Sequence, residues 1–182
     1  MPAPAPIKAG TLRSEQIILF RIGEQLFALS SSSVQEVRGA DSLSGGAYEV
    51  SAPGIDKVRQ FVRRGGNTLF LVSGAAHFGL SAPDGILAFV LRNTRTALLV
   101  DSIERMTAMT RLQALPLSFC HEERQWYRGL TALDQTVVPV VRPEGFLSGE
   151  ELMMLDAALP SPEAFIEETE AEEDTDSGAE LN

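Results

Sequence analysis

A nucleophile and a base stand close together at one place in this chain, Cys120-His121. A thiol beside an imidazole becomes a strong nucleophile only when the two side chains converge. Adjacent residues on an extended segment point to opposite faces, so this spacing argues for a surface loop or a partly buried cysteine. Glu122-Glu123 follows at once and reads as a solvated loop rather than a catalytic dyad. His77 lies in Gly74-Ala-Ala-His-Phe-Gly79 without a second histidine or carboxylate at metal-ligand spacing. Arg64-Gly-Gly-Asn67 lacks the lysine and the following helix of a phosphate-binding loop. These residues point away from catalysis, and no cofactor or metal is expected. A small-ligand-binding β-barrel or a cryptic enzyme using Cys120, His121 and Glu122 stands as the competing reading.

The remaining signals are surfaces. Glu36 sits between Val34 and Val37 near a strand end, with Arg63 and Arg64 on the segment that follows. Such a cluster is either an exposed pair worth about 0–1 kcal/mol or a charged marker beside an apolar patch that meets another protein. Lys57, Arg59, Arg63 and Arg64 give residues 53–80 a basic side. Twelve of the 25 acidic residues follow Ser148, where Lys and Arg are absent, so thirteen acidic residues face all fifteen basic ones before it. A body of about +2 therefore carries an appendage of about −12. Nucleic-acid binding is disfavoured, because such a tail competes with phosphate for any basic patch. The same charge separation predicts a tail that folds back on Lys57, Arg59, Arg63 and Arg64 at low salt.

The elements that must position these residues are mostly strands. In Gln16–Val37, Ile18, Phe20 and Ile22 alternate with Leu19 and Arg21, and Gly23-Glu24 marks a tight turn before Leu26, Phe27 and Leu29. A serine run leads on to Val34-Gln-Glu-Val37, and Gly39–Gly46 reads as a loop of turn formers. Pro53–Leu80 reads as strand–turn–strand around Gly65-Gly66-Asn67, with a helix over Ile55–Val62 as the other possibility. Gly85–Met106 echoes the opening stretch: Phe20 matches Val90, Gly23 matches Asn93, and Val34/Val37 match Ile103/Met106 with one gap. Trp126–Val141 echoes Arg59–Val72 around the turn Asp134-Gln135. Two compact all-β lobes related by a pseudo-twofold follow, each a small curled barrel that hides its strand edges. A single β-sandwich is the alternative.

Four stretches are expected. Residues 1–14 form a flexible Pro/Ala arm rather than a secretory signal, and 15–147 the two-lobed body. Residues 148–160 form a helix, opened by a capping box at Ser148/Glu151 and stopped at Pro160. Residues 161–182 form a disordered acidic tail with Phe165 and Ile166 as its large apolar residues before Leu181. The chain of 182 residues is 44% hydrophobic and 22% charged, an ordinary globular balance, and contains no apolar run long enough to span a bilayer. One cysteine excludes an internal disulfide.

Several stretches in order resemble the CheW-like chemotaxis coupling family: Ile18-Leu-Phe-Arg-Ile-Gly, Leu26-Phe-Ala-Leu, Val34-Gln-Glu-Val37, Arg64-Gly65, Phe78-Gly-Leu80, Leu98-Leu-Val-Asp-Ser-Ile103 and Arg128-Gly-Leu-Thr-Ala-Leu-Asp134. The resemblance runs from about Gln16 to Leu147. It implies a mainly all-β fold of two SH3-like five-stranded β-barrel lobes. It also implies a non-enzymatic cytoplasmic adaptor, at receptor arrays, that couples methyl-accepting chemoreceptor cytoplasmic tips to the regulatory domain of a CheA-type histidine kinase. Carried over by motif, Val34 and Glu36 lie at the receptor groove with Arg64 as basic partner. This chain departs from the family after Arg64-Gly65, where the usual Pro and Asp are missing, and near Val58–Arg59, where a Gly is expected; Gly129 is its second-half counterpart. A homologue that competes with or modulates a true coupler is a further possibility on the same resemblance.

Overall fold

The computed structural model describes residues 14–160. The expected N-terminal arm, apart from Ser14, and the expected acidic tail lie outside these residues. Along the chain run β1 (Glu15–Ile22), β2 (Gln25–Ser30), β3 (Val34–Gly39), α1 (Ala40–Ser44), β4 (Ala47–Glu49), β5 (Val58–Arg64), β6 (Asn67–Ser73), α2 (Gly74–His77), β7 (Leu87–Leu91), β8 (Thr96–Val100), β9 (Ser102–Met109), α3 (Glu123–Trp126), β10 (Tyr127–Leu133), β11 (Thr136–Val141) and α4 (Gly149–Ala157). The helical possibility for Ile55–Val62 is overturned: residues 58–62 belong to strand β5, and residues 55–57 lead into it through a turn. The loop expected over Gly39–Gly46 contains the single turn α1, because the Ser42 and Ser44 hydroxyls donate back to the Gly39 and Ala40 carbonyls.

The strands form two sheets, in the orders β10-β11-β2-β1-β9 and β5-β6-β8-β7-β3, the second extended by the short β4 beside β5. The two orders are the same once each strand is replaced by its counterpart in the other half of the sequence. The repeat is real, but the halves do not fold separately. Hairpin β1–β2 joins the strands of the second half, and hairpin β7–β8 joins those of the first. Strand bulges fix the pairing of counterparts and move the expected match of Phe20 from Val90 to Leu91, because Phe20 and Leu91 face the shared core and Val90 faces the smaller one. Gln35 is passed over between Val34↔Leu91 and Glu36↔Val90, as Glu104 is between Ile103↔Phe20 and Arg105↔Leu19. Arg59 and Arg128 are passed over in the same way in β5 and β10. Val34, Glu36 and Val37 thus correspond to Ile103, Arg105 and Met106.

Both faces of the central strands are buried, which explains their near-continuous apolar runs. Ile17, Leu19, Ala28, Val138 and Val140 fill a small core on one face of the first sheet. Ala88, Val90, Ala97, Leu69 and Leu71 fill the matching core of the second. The other faces meet in one shared core containing Phe20, Phe61, Phe70, Phe89 and Phe146, all fully buried, each worth about 1.5–3 kcal/mol of burial. Helix α4 closes the shared core with Leu155, and Leu152 and Leu159 pack beside it. Its capping box is formed: the Glu151 amide donates to Ser148 Oγ at 3.1 Å, and the Ser148 amide to Glu151 Oε2 at 2.8 Å.

Candidate functional site

Strand β3 is the edge strand of the second sheet and carries the Val34–Val37 step. Arg92 fixes where it begins: its amide donates to the Ser33 carbonyl at 2.8 Å and its Nε to the Val34 carbonyl at 3.1 Å. Arg92 was not among the candidates read from the sequence, and its position directly after the apolar strand Leu87–Leu91 was the available signal. Beyond the bulge, the Glu36 carboxylate lies between two guanidinium groups, with one oxygen on Arg64 Nη1 and the other 3.2 Å from Arg38 Nε. The Arg64 hydrogen bond, with help from Arg38, holds the Glu36 carboxyl below the usual carboxylate range. Exposure separates the apolar pair. Val34 is 8% exposed and belongs to the shared core, whereas Val37 is 41% exposed beside the charges. The surface offered is therefore Val37, Glu36, Arg64 and Arg38, with Val34 beneath it as support.

An open groove of about 720 Å³ begins beside this cluster, between Gln35, Arg64, Leu69, Val90, Arg95 and Leu152. Its walls are strands of the second sheet and helix α4. Arg95 ties the helix down through two hydrogen bonds to Asp156, at 2.8 and 2.6 Å, and stacks its guanidinium 4.9 Å above Phe70.

The four basic residues expected to act together are divided. Lys57 forms an ion pair with Glu151 at 2.7 Å and approaches His77 Nδ1 at 3.5 Å. Arg59 lines a groove with Glu49, Asp56 and Asp84. Arg63 and Arg64 end β5, about 20 Å from its start at the rise of a strand. Arg64 is committed to Glu36. His77 is buried against Trp126 and Phe146, and burial together with the Lys57 charge lowers its pKa to about 3.

Cys120 is exposed in the loop before α3. Its amide donates to Glu123 Oε2 at 2.8 Å, and its sulfur accepts the Glu123 amide at 3.4 Å. Arg124 donates to the Phe119 carbonyl at 3.1 Å and to that of Pro116. The polar groups of this loop are used to close its own turn. Among the described residues no group of three His, Cys, Asp or Glu could hold a metal ion, and no helix is long and apolar enough to cross a membrane. For a second residue the sequence showed the motif but not the role. Asp101, in Leu98-Leu-Val-Asp-Ser-Ile103, accepts the Gly23 amide and donates its own amide to the Arg21 carbonyl at 2.9 Å, joining the two hairpins.

Comparison with known proteins agrees with this fold. The CheW-like domain matches residues 16–151. The probable chemotaxis protein CheW of Rhizobium etli is 26% identical over 153 residues, covering 80% of this chain and 95% of that protein. The crystal structure of the scaffolding protein TtCheW from Thermoanaerobacter tengcongensis superposes with a TM-score of 0.61 at 11% identity, over 81% of this chain and 96% of that one.

Proposed function

This chain belongs to the CheW-like domain family, and from that premise we propose that it is a non-enzymatic adaptor coupling chemoreceptor cytoplasmic tips to the regulatory domain of a CheA-type kinase. The observation that carries the reading is the edge strand β3. It presents Val37 and the Arg64–Glu36–Arg38 cluster outward while Val34 and Arg92 hold it rigidly to the second sheet. An edge strand that offers an exposed valine on one face and, on the other, charges whose geometry is set in advance suits a helical partner, since little ordering is needed on binding. The work is done in the cytoplasm, where receptor tips lie, and depends on several modest contacts made cooperative by assembly. The loop at Cys120 supports the competing enzymatic reading from Cys120, His121 and Glu122 poorly, because the Cys120 sulfur accepts the Glu123 amide rather than meeting His121 or Glu122.

The test is a pull-down on receptor tip and kinase regulatory domain with Glu36→Lys and Arg64→Glu. Each substitution is expected to weaken receptor binding about tenfold, the scale of losing one charge pair at an interface. Wild-type binding by both variants sinks the assignment of this edge.

A further inference from the structure

An open groove of about 820 Å³ is distinct from the one beside Glu36. Val50, Ala52, Ile55 and Val58 form its floor, and Ala158 and Pro160 lie on its rim. Its charged residues are Glu49, Asp56, Asp84 and Arg59, so acidic groups outnumber basic ones. Pro160 is where the described chain ends, and 22 residues follow it. The first large apolar residues of that segment are Phe165 and Ile166. Five steps of chain reach at most about 17 Å, enough to return to a groove that the chain has only just left.

We propose that Phe165 and Ile166 dock intramolecularly in this groove, over Val50, Ala52, Ile55 and Val58. Charge does not drive the contact. The groove already holds three carboxylates against Arg59, and Lys57 and Arg64 are each paired within the body, so the acidic residues from Glu167 onward gain nothing by entering it. The two apolar side chains enter, and the carboxylates that follow are directed back to solvent. A tether of five residues sets an effective concentration of millimolar order, which populates even a weak apolar contact. This inference is independent of the coupling role, because its test needs only the protein alone.

The experiment compares amide chemical shifts of Val50, Ala52, Ile55 and Val58 in the full chain with those in full-length Phe165→Ser/Ile166→Ser. Shifts at these four positions are expected to move, to be unchanged by Glu167→Gln/Glu168→Gln, and to be independent of protein concentration. They should persist at about 0.5 M salt, where the Debye length is only a few ångströms. Three results overturn the proposal: identical spectra for wild type and Phe165→Ser/Ile166→Ser, loss of the wild-type shifts in salt, or shifts that appear only at high concentration. The second result would mean docking through charge, and the third docking between copies.

Discussion

The two edge strands β3 and β9 are counterparts in the repeat, and they are built alike and finished differently. Each has a bulge one residue after its first large aliphatic residue, at Gln35 and at Glu104. Each is held by an arginine at the end of the neighbouring hairpin strand. Arg92 donates to the Val34 carbonyl, and its counterpart Arg21 to the bulged Glu104 at 2.7 Å. Each is also tied to the hairpin on the far side of its sheet, at the turn or on the strand residue before it, by an ion pair of reversed polarity. In one case Glu36 meets Arg64; in the other Arg105 meets Asp134. Exposure differs as well. Val34 is buried while Ile103 is 39% exposed, and Val37 is 41% exposed against 61% for Met106. The repeat kept the backbone devices that make an edge rigid and let the side chains diverge, so the two edges cannot recognise the same surface.

The comparison breaks most sharply at Gly129 in β10, whose counterpart after the β5 bulge is Gln60. A Cβ at Gly129 would overlap the carbonyl oxygen of Gln113, which exchanges backbone hydrogen bonds with Leu130 at 2.7 and 2.9 Å. There the chain leaving β9 curls back onto β10; in the second sheet β4 makes the equivalent closure against β5. Gly129→Gln is expected to cost about 3 kcal/mol or more, the scale of overpacking against a backbone that cannot move aside. Gln60→Gly should cost about 1 kcal/mol or less. Denaturant unfolding of both variants measures the contrast, and equal losses would show that the two closures are interchangeable.

The counterparts His77 and Phe146 meet at the junction of the halves with ring centroids 5.0 Å apart. An imidazole there departs from the symmetry and makes folding sensitive to pH. The folded state keeps His77 neutral down to about pH 3, whereas the unfolded chain takes up a proton near pH 6.5. Between these values the unfolded state binds more protons, so stability is full above pH 6.5 and declines as pH falls, by about 1.4 kcal/mol per unit. Between pH 6.5 and 5 this amounts to about 2 kcal/mol. His77→Phe, which makes the junction symmetric, should flatten that slope; an unchanged slope would assign it to other groups.

The strands and turns were legible because burial on both faces leaves long apolar runs, and because Gly23, Gly65-Gly66 and Asp134-Gln135 mark turns of positive φ. The helix was legible from Ser148 and Glu151, whose capping contacts are local. The exchange of hairpins was not, since the pairing of β1 with β9 joins residues more than eighty apart and depends on which faces meet. Nor was the division of the basic residues. Lys57 and Arg64 look alike in sequence, and only α4 and β3, brought in from elsewhere, give them Glu151 and Glu36 as partners. The burial of Val34 was missed as well: the bulge at Gln35 sets Val34 and Val37 opposite Leu91 and Phe89, on one face of the strand, and only the assembled fold covers that face at Val34 and leaves it open at Val37.

The smallest expected effect separates recognition from stability at the β3 edge. Arg64 is exposed and Glu36 partly so, so their solvent-screened pair should contribute no more than about 1 kcal/mol. The Glu36 carboxyl is held low chiefly by Arg64, which fixes the sign: the contribution is present above the unfolded carboxylate range and is lost as pH falls through the lowered folded value. Arg64→Glu should therefore reduce Tm slightly at neutral pH and leave it unaltered once Glu36 is protonated. Glu36→Arg/Arg64→Glu gives β3 the polarity that β9 already has with Arg105 and Asp134, and a bulged edge tolerates either sign. Tm should return to within a degree or two of wild type, a shift of well under 1 kcal/mol, while receptor binding stays as weak as in the single variants. Binding that recovered along with Tm would show that a rigid edge is sufficient for recognition, and that the polarity separating the two edges has no part in choosing a partner.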